Sequence, residues 1–250
     1  MNMAKGFFVT GTDTGVGKTI ITASLIKVAE SLGLRPCGMK PIETGCLESR
    51  SKVKSSKLKV EEKEVLRPSD GIFLREMAGM SEPIDLIAPI RFKNPLAPFT
   101  ASEIERITVD FRKIQKAYTE LFKKYDVVIV EGIGGLLVPI AKDYYVLDLA
   151  RDFALPLIIV ARPGIGTINH TMLTVNYAIK EGLSVAGIII NYSHPPEGSL
   201  AEKTNLKIIT QLSSVPVFGI FPYLEMVNAY AIEQAAIKNL NINRIKNYLC

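Results

Sequence analysis

The residues with the plainest chemistry lie in one run near the start of the chain, Gly11-Thr12-Asp13-Thr14-Gly15-Val16-Gly17-Lys18-Thr19. Glycines let the backbone turn its N–H groups inward toward an anion. A lysine at the end of such a run reaches phosphate oxygens, and the hydroxyl of the next residue can ligate Mg²⁺. The run follows a short apolar stretch, Lys5 to Thr10, and opens a stretch with helical spacing. That is the context a phosphate cradle needs, because a helix N-terminus adds positive potential at the same place. The pattern departs from the usual G-x-x-x-x-G-K-[ST]. Thr12 stands where the first glycine would, and Gly11 lies one residue earlier, so this loop is one residue longer. The loop alone predicts a nucleotide triphosphate and does not choose between adenine and guanine.

Other charged residues fall at the ends of apolar runs. In an open α/β sheet, ligands bind beyond the carboxyl ends of the strands. Lys40 follows the run Pro36–Met39, and either a surface lysine or a cation facing the phosphate loop would suit that place. Glu131 ends the run Asp126–Val130 and is followed by Gly-Ile-Gly-Gly. A Mg²⁺-directed carboxylate is expected at such a strand end, here Glu instead of the more common Asp; a loop or capping carboxylate is the plainer alternative. Asp70 begins a helical stretch and by itself reads as an N-cap. The two histidines, His170 and His194, lie far apart in sequence, and neither a Ser/His/Asp set nor zinc-ligand spacing is visible.

These positions imply a scaffold. Apolar residues Ile21, Leu25, Val28 and Leu32 predict a helix from Lys18 to Leu32. Strands are predicted at Pro36–Ile42, Asp126–Val130, Leu157–Val160, Val185–Ile190 and Pro216–Phe221, and helices from about Thr167 and over Leu200–Leu212. Ser102 to Tyr125 reads as one amphipathic helix, and Glu43 to Ser69 as a loop. The strand candidates are continuously apolar, which fits a parallel sheet covered on both faces. One α/β domain spanning 1–250 is expected, a P-loop NTPase fold with a lysine-rich insertion at about 46–69.

Bulk composition narrows the function classes. The chain has 250 residues, 48% of them apolar, which excludes general disorder. Tryptophan is absent, aromatics make up 8%, and the net charge is only +5, so no nucleic-acid platform is expected. Lys52, Lys54, Lys57, Lys59 and Lys63 cluster without interleaved aromatics and read as a solvated face. Cys37, Cys46 and Cys250 form no CxxC pair, which points to a reducing compartment. The N-terminal apolar run is too short for a signal peptide or a membrane span, so a cytoplasmic protein without membrane association is expected.

Taken together, six motifs in order resemble the dethiobiotin synthetase family. They are the extended loop at 11–19, Met-Lys-Pro-Ile-Glu-Thr-Gly at 39–45, Ser-Asp at 69–70, Val-Glu-Gly-Ile-Gly-Gly at 130–135, Ile-Asn-His-Thr-Met-Leu-Thr at 168–174 and Ala-Gly-Ile-Ile-Ile-Asn at 186–191. The resemblance implies conversion of 7,8-diaminononanoate, CO₂ and ATP to dethiobiotin, ADP and phosphate, through a carbamate and a carbamic–phosphoric anhydride. It also implies roles. Gly15, Val16, Gly17, Lys18 and Thr19 would hold the triphosphate. Thr19, Asp70 and Glu131 would hold Mg²⁺, replacing the N-cap reading of Asp70. Lys40 would stand between the γ-phosphate and the carbamate, and Thr14 and Thr44 would line the diamine pocket. Asn191 would read adenine with Pro222, Tyr223 and Leu224. Gly166, Thr167, Ile168 and Asn169 would take the substrate carboxylate from a second subunit, which makes a homodimer.

A nucleotide-switched ATPase of the partitioning or metal-delivery type is the alternative with the same fold. Such proteins often carry a second lysine early in the loop, where Asp13 and Thr14 stand here. A glutamine-dependent amide synthase would need a Cys nucleophile and a His partner in an added domain, and neither the room nor the residues for one are expected within these 250 positions.

Overall fold

The computed structural model describes residues 5–56 and 59–250, and gives no side chains over 50–64. The lysine cluster at 52–63 therefore lies outside the described side chains. In chain order the first elements are β1 (Gly6–Gly11), α1 (Lys18–Ser31), β2 (Pro36–Met39), β3 (Ile42–Glu43), β4 (Leu47–Ser56), β5 (Lys59–Arg67) and α2 (Ser69–Met77). Next come α3 (Ile84–Ile87), β6 (Ile90–Arg91), α4 (Pro98–Glu105), α5 (Phe111–Lys124) and β7 (Val127–Glu131). The last part holds β8 (Pro139–Ala141), β9 (Tyr144–Tyr145), α6 (Val146–Phe153), β10 (Leu157–Ala161), α7 (Thr167–Lys180), β11 (Val185–Asn191), α8 (Leu200–Leu212), β12 (Val217–Phe221), α9 (Ala229–Asn239) and α10 (Ile242–Leu249).

Six strands form the central sheet in the order β12-β11-β10-β1-β7-β2, and every pairing in it is parallel. The continuous apolar runs are explained by burial on both faces. On β1, Phe8 enters one core and its neighbours Phe7 and Val9 enter the other; on β7, Val128 and Val130 go one way and Val127 and Ile129 the other. Alternate side chains point to opposite faces, so both sets must be apolar when both faces are covered. One core includes residues of α5 and α6, and the opposite one residues of α1, α9 and α10.

Two sequence expectations need correction. The single helix expected over Ser102–Tyr125 is two helices. Arg106, in the left-handed region at φ 55°, ends α4, and Asp110 starts α5 by accepting from the Lys113 backbone N–H at 3.0 Å. The loop expected over Glu43–Ser69 contains an antiparallel pair, β4 with β5, running inward from Leu47 opposite Arg67. The base of that hairpin is stitched to the chain around β6. β3 pairs with β6 in parallel, the Cys46 N–H donates to the Phe92 carbonyl at 3.0 Å, and Lys93 meets Glu48 at 2.8 Å.

A close approach fixes α2 to the sheet. A Cβ on Gly38 in β2 would stand 2.9 Å from Leu74 Cβ on α2 and 3.0 Å from Ile26 Cδ1 on α1. Both neighbours are fully buried. Gly38→Ala therefore overpacks the seam between β2 and α2, and a loss of about 1–3 kcal/mol is expected in urea denaturation. An unchanged midpoint would show that the seam has room to yield.

Candidate functional site

The parallel register sets the site. Met39 lies opposite Val130, and Val9 opposite Glu131. The chain leaving β2 at Lys40 therefore emerges beside Glu131, and both emerge beside the loop that leaves β1. Lys40 Nζ donates to Glu131 Oε1 at 2.5 Å and to the Gly132 carbonyl at 3.3 Å, and it meets Asp70 Oδ2 at 3.0 Å. Thr19, in the first turn of α1, donates its hydroxyl to the same Glu131 Oε1 at 2.9 Å. Lys18 is buried and donates to the Asp13 carbonyl at 3.2 Å.

These groups line a cavity of about 320 Å³ at the carboxyl ends of β1, β2 and β7. Thr14, Gly15, Gly17 and Thr44 line it as well. A larger hollow, about 1170 Å³, opens at the amino ends of the strands beside Lys5, Asp126 and Ser184. It brings together no comparable set of charged groups, and its location is the wrong end of the sheet for a ligand site.

Gly17 caps α1 in the left-handed region at φ 87°, and a Cβ there would stand 2.0 Å from Asn191 Nδ2. That close approach lets Asn191, at the end of β11, donate to the Val16 carbonyl at 2.8 Å. Asn191 Oδ1 is buried with no partner. Val16 itself points into the core. Asn191 lies opposite Phe221, so Pro222, Tyr223 and Leu224 leave β12 beside it.

Gly166, Thr167, Ile168 and Asn169 open α7 and are not among the residues lining the cavity. Thr167 is buried, and its hydroxyl faces that of Thr171 at 3.3 Å. Asp70 is not an N-cap: Pro68 holds that position, and Asp70 sits inside the first turn of α2. Sequence reasoning assigned no role to Glu43, which also lines the cavity and is almost fully buried. Its carboxylate accepts the backbone N–H of Asp70 at 3.0 Å and of Gly71 at 2.9 Å. Only its place inside the motif at 39–45 hinted at it.

The charges are strongly coupled. Burial lowers Lys18, helped by the charge of Lys40, to about 8. Burial also acts downward on Lys40, but the carboxylates of Glu131 and Asp70 more than offset it and hold Lys40 above the ordinary lysine value. Burial raises Glu43 above the ordinary carboxylate value, against the pull of the two backbone donors.

The donor set fits a hard divalent cation. The Thr19 hydroxyl and the Lys40 ammonium both bond Glu131 Oε1, and Asp70 Oδ2 meets the same ammonium, so a hydroxyl and two carboxylates are grouped around a tethered cation. Glu131 Oε2 is buried without a partner. Among the described residues no group of three or more His, Cys, Asp or Glu forms a complete metal cage. Mg²⁺ does not need one, since it is usually held by one or two carboxylates together with substrate phosphates.

An AAA domain family model matches residues 5–231. The chain is 46% identical to the ATP-dependent dethiobiotin synthetase BioD of Thermodesulfovibrio yellowstonii, over 97% of this chain and 99% of the relative. The chain belongs to the dethiobiotin synthetase family. The Bacillus subtilis strain 168 member is 37% identical over 97% of this chain and 98% of its own, and the Methanococcus vannielii member 36% over 85% and 91%. Among solved structures, the Pyrococcus furiosus cell division ATPase MinD aligns with a TM-score of 0.51 at 16% identity, covering 97% of this chain and 99% of that one. A ParA family ATPase from Chlorobium tepidum gives 0.50 at 13%, covering 98% and 97%. At these identities the likeness shows the fold, that of P-loop NTPases. Among the described residues no helix is long and apolar enough to cross a membrane.

The low Lys18 value has a consequence for dethiobiotin synthetase family chemistry. Below about pH 8 the free protein carries an ammonium at the phosphate loop; above it, that charge is lost. A triphosphate favours the charged form, so ATP affinity should fall as pH rises through about 8, and binding at pH 9 should take up a proton. Calorimetry in buffers of different ionisation heat measures this, and binding heats at pH 9 independent of the buffer would contradict it.

Proposed function

We propose that the chain uses ATP and CO₂ to close the ureido ring of dethiobiotin on 7,8-diaminononanoate, releasing ADP and phosphate. The observation that carries this reading is Lys40. Its ammonium is buried between Glu131 and Asp70, in one small cavity with Lys18 of the phosphate loop and the hydroxyl-bearing Thr14 and Thr44. A carbamate and a triphosphate are both anions. Bringing them together requires fixed cations between them, and preorganised charge in a water-poor site is where such stabilisation is strongest.

In this reading one amine of the diamine adds to CO₂ and gives up a proton to form a carbamate. A carbamate oxygen attacks the γ-phosphorus, ADP leaves, and the resulting carbamic–phosphoric anhydride now carries phosphate as a good leaving group. The second amine attacks the carbonyl and gives up a proton, phosphate departs, and the cyclic urea forms. No protein nucleophile is required. Gly15, Val16, Gly17 and Lys18 hold the triphosphate through backbone N–H groups and the ammonium. Lys40 neutralises the carbamate and γ-phosphoryl oxygens, while Thr14 and Thr44 orient the diamine. Thr19, Asp70 and Glu131 would hold Mg²⁺, which would supply charge neutralisation on the phosphates.

Asn191 reads the base. Its unpartnered Oδ1 is suited to accept from the exocyclic amine of adenine, with Pro222, Tyr223 and Leu224 alongside. Gly166 to Asn169 bind the substrate carboxylate of a second copy in a homodimer. The strongly exposed Ile165 and Leu173 beside that helix start leave an apolar face for the partner. The reaction is placed in the cytoplasm, and the whole chain acts as one domain with the 46–69 insertion as an appendage.

A switch ATPase hydrolyses ATP without a small-molecule acceptor, so phosphate release separates the two readings. With ATP, Mg²⁺ and bicarbonate, release is expected only when 7,8-diaminononanoate is present; release independent of the diamine would support the switch reading. Lys18→Ala and Lys40→Gln are each expected to lower turnover by roughly 10²–10³ or more, the scale of losing one stabilising donor. Near-normal turnover in folded Lys40→Gln would remove Lys40 from the role given to it.

A further inference from the structure

Glu43 has no part in the roles above, yet it is one of the most buried charged groups in the protein, at 3% exposure. Its two oxygens are spent on one target. Oε1 accepts from the Asp70 N–H at 3.0 Å and the Ser69 hydroxyl at 3.3 Å, and Oε2 accepts from the Gly71 N–H at 2.9 Å. The two N–H groups belong to the first turn of α2, where no residue within the helix can satisfy them. The residue at the local N-cap is Pro68, which makes no side-chain cap bond. A carboxylate from elsewhere in the chain therefore does the capping, at the end of the helix where negative charge is favoured.

Glu43 also closes the base of the β4–β5 hairpin. It precedes the hairpin, and Ser69 follows it, 26 positions further on. Asp70 is the first acidic residue after that excursion, and it must present its carboxylate to Lys40 at 3.0 Å. Leu74 packs the body of α2 on β2 at Gly38, and Glu43 holds its first turn. Space behind the clamp is tight: a Cβ on Gly71 would lie 2.8 Å from Ala88 Cβ and 3.5 Å from Glu43 Oε2.

We propose that Glu43 is a positioning residue: it clamps the first turn of α2 across the base of the hairpin and so sets where Asp70 presents its carboxylate to a divalent cation. This rests on the metal role proposed for Asp70 above. Glu43 touches the Asp70 backbone rather than the cation, so its effect appears in metal affinity and not in the affinity for nucleotide alone. Partners that orient a metal ligand typically account for about 10–100-fold in affinity.

The test is Mn²⁺ binding to the ADP-loaded full-length protein, followed by electron paramagnetic resonance, in wild type, Glu43→Gln, Glu43→Asp and Asp70→Asn. Gln keeps one acceptor oxygen but turns an amide toward the second N–H. Asp keeps the charge but withdraws it by one methylene, which gives a second variant should Gln fail to fold. Both are expected to weaken Mn²⁺ binding by roughly tenfold or more, to leave metal-free ADP affinity unchanged, and to speed amide exchange at residues 70 and 71. Wild-type Mn²⁺ affinity in Glu43→Gln and Glu43→Asp, with weakened binding in Asp70→Asn, would overturn the role of Glu43 and leave that of Asp70 standing. Unchanged binding in Asp70→Asn would instead remove the metal role of Asp70, and with it the reason for the clamp.

Discussion

A lysine ammonium and a glutamate carboxylate, both almost wholly out of water, meet where β2 and β7 end. Taking each ion from water costs several kcal/mol, and their attraction offsets that only when geometry holds them together. The register of the central sheet supplies that geometry by setting Met39 level with Val130. Asp70 and Thr19 complete the bonding of the pair. Other parts of the site depend on this contact. Thr19 is held at Glu131 because α1 starts directly after the phosphate loop, and Asp70 is held at Lys40 because α2 packs on β2 through Gly38.

What could be read from sequence was whatever is local or periodic. The loop at 11–19 declares itself by residue type and spacing. Lys40 and Glu131 could be singled out because strand ends in a parallel sheet face one place, and the strands were visible as apolar runs. What escaped depends on contacts across the fold. Asp70 looked like an N-cap because its neighbour in sequence is a helix start; the actual cap, Glu43, comes from the other side of the hairpin. Ser102–Tyr125 looked like one helix because its apolar spacing runs on through a break made by the backbone at Arg106 and the cap at Asp110. The β8–β9 hairpin and helices α6, α9 and α10 were not anticipated; α9 has only a modest apolar stripe, while α6 and α10 are each 8 residues long.

Fold and family separate cleanly here. The solved structures that align include a cell division ATPase and a ParA family ATPase at low identity, while the curated relatives at 46% and 37% are dethiobiotin synthetases. The scaffold of strand, phosphate loop and helix is common ground for many activities. What differs is the furniture at the strand ends. Asp13 and Thr14 occupy the loop where a switch ATPase often has a second lysine, and here a buried lysine arrives from the end of β2, on the far side of β7.

The hairpin between Glu43 and Ser69 is fastened at its base, by Glu43 on one side and by the chain around β6 on the other. Lengthening an excursion whose ends are already joined costs little, since closure entropy grows only with the logarithm of its length. A change in the number of residues between Leu47 and Arg67 therefore need not move Asp70. The length of chain between these two joined ends and the position of Asp70 are thus set by different contacts.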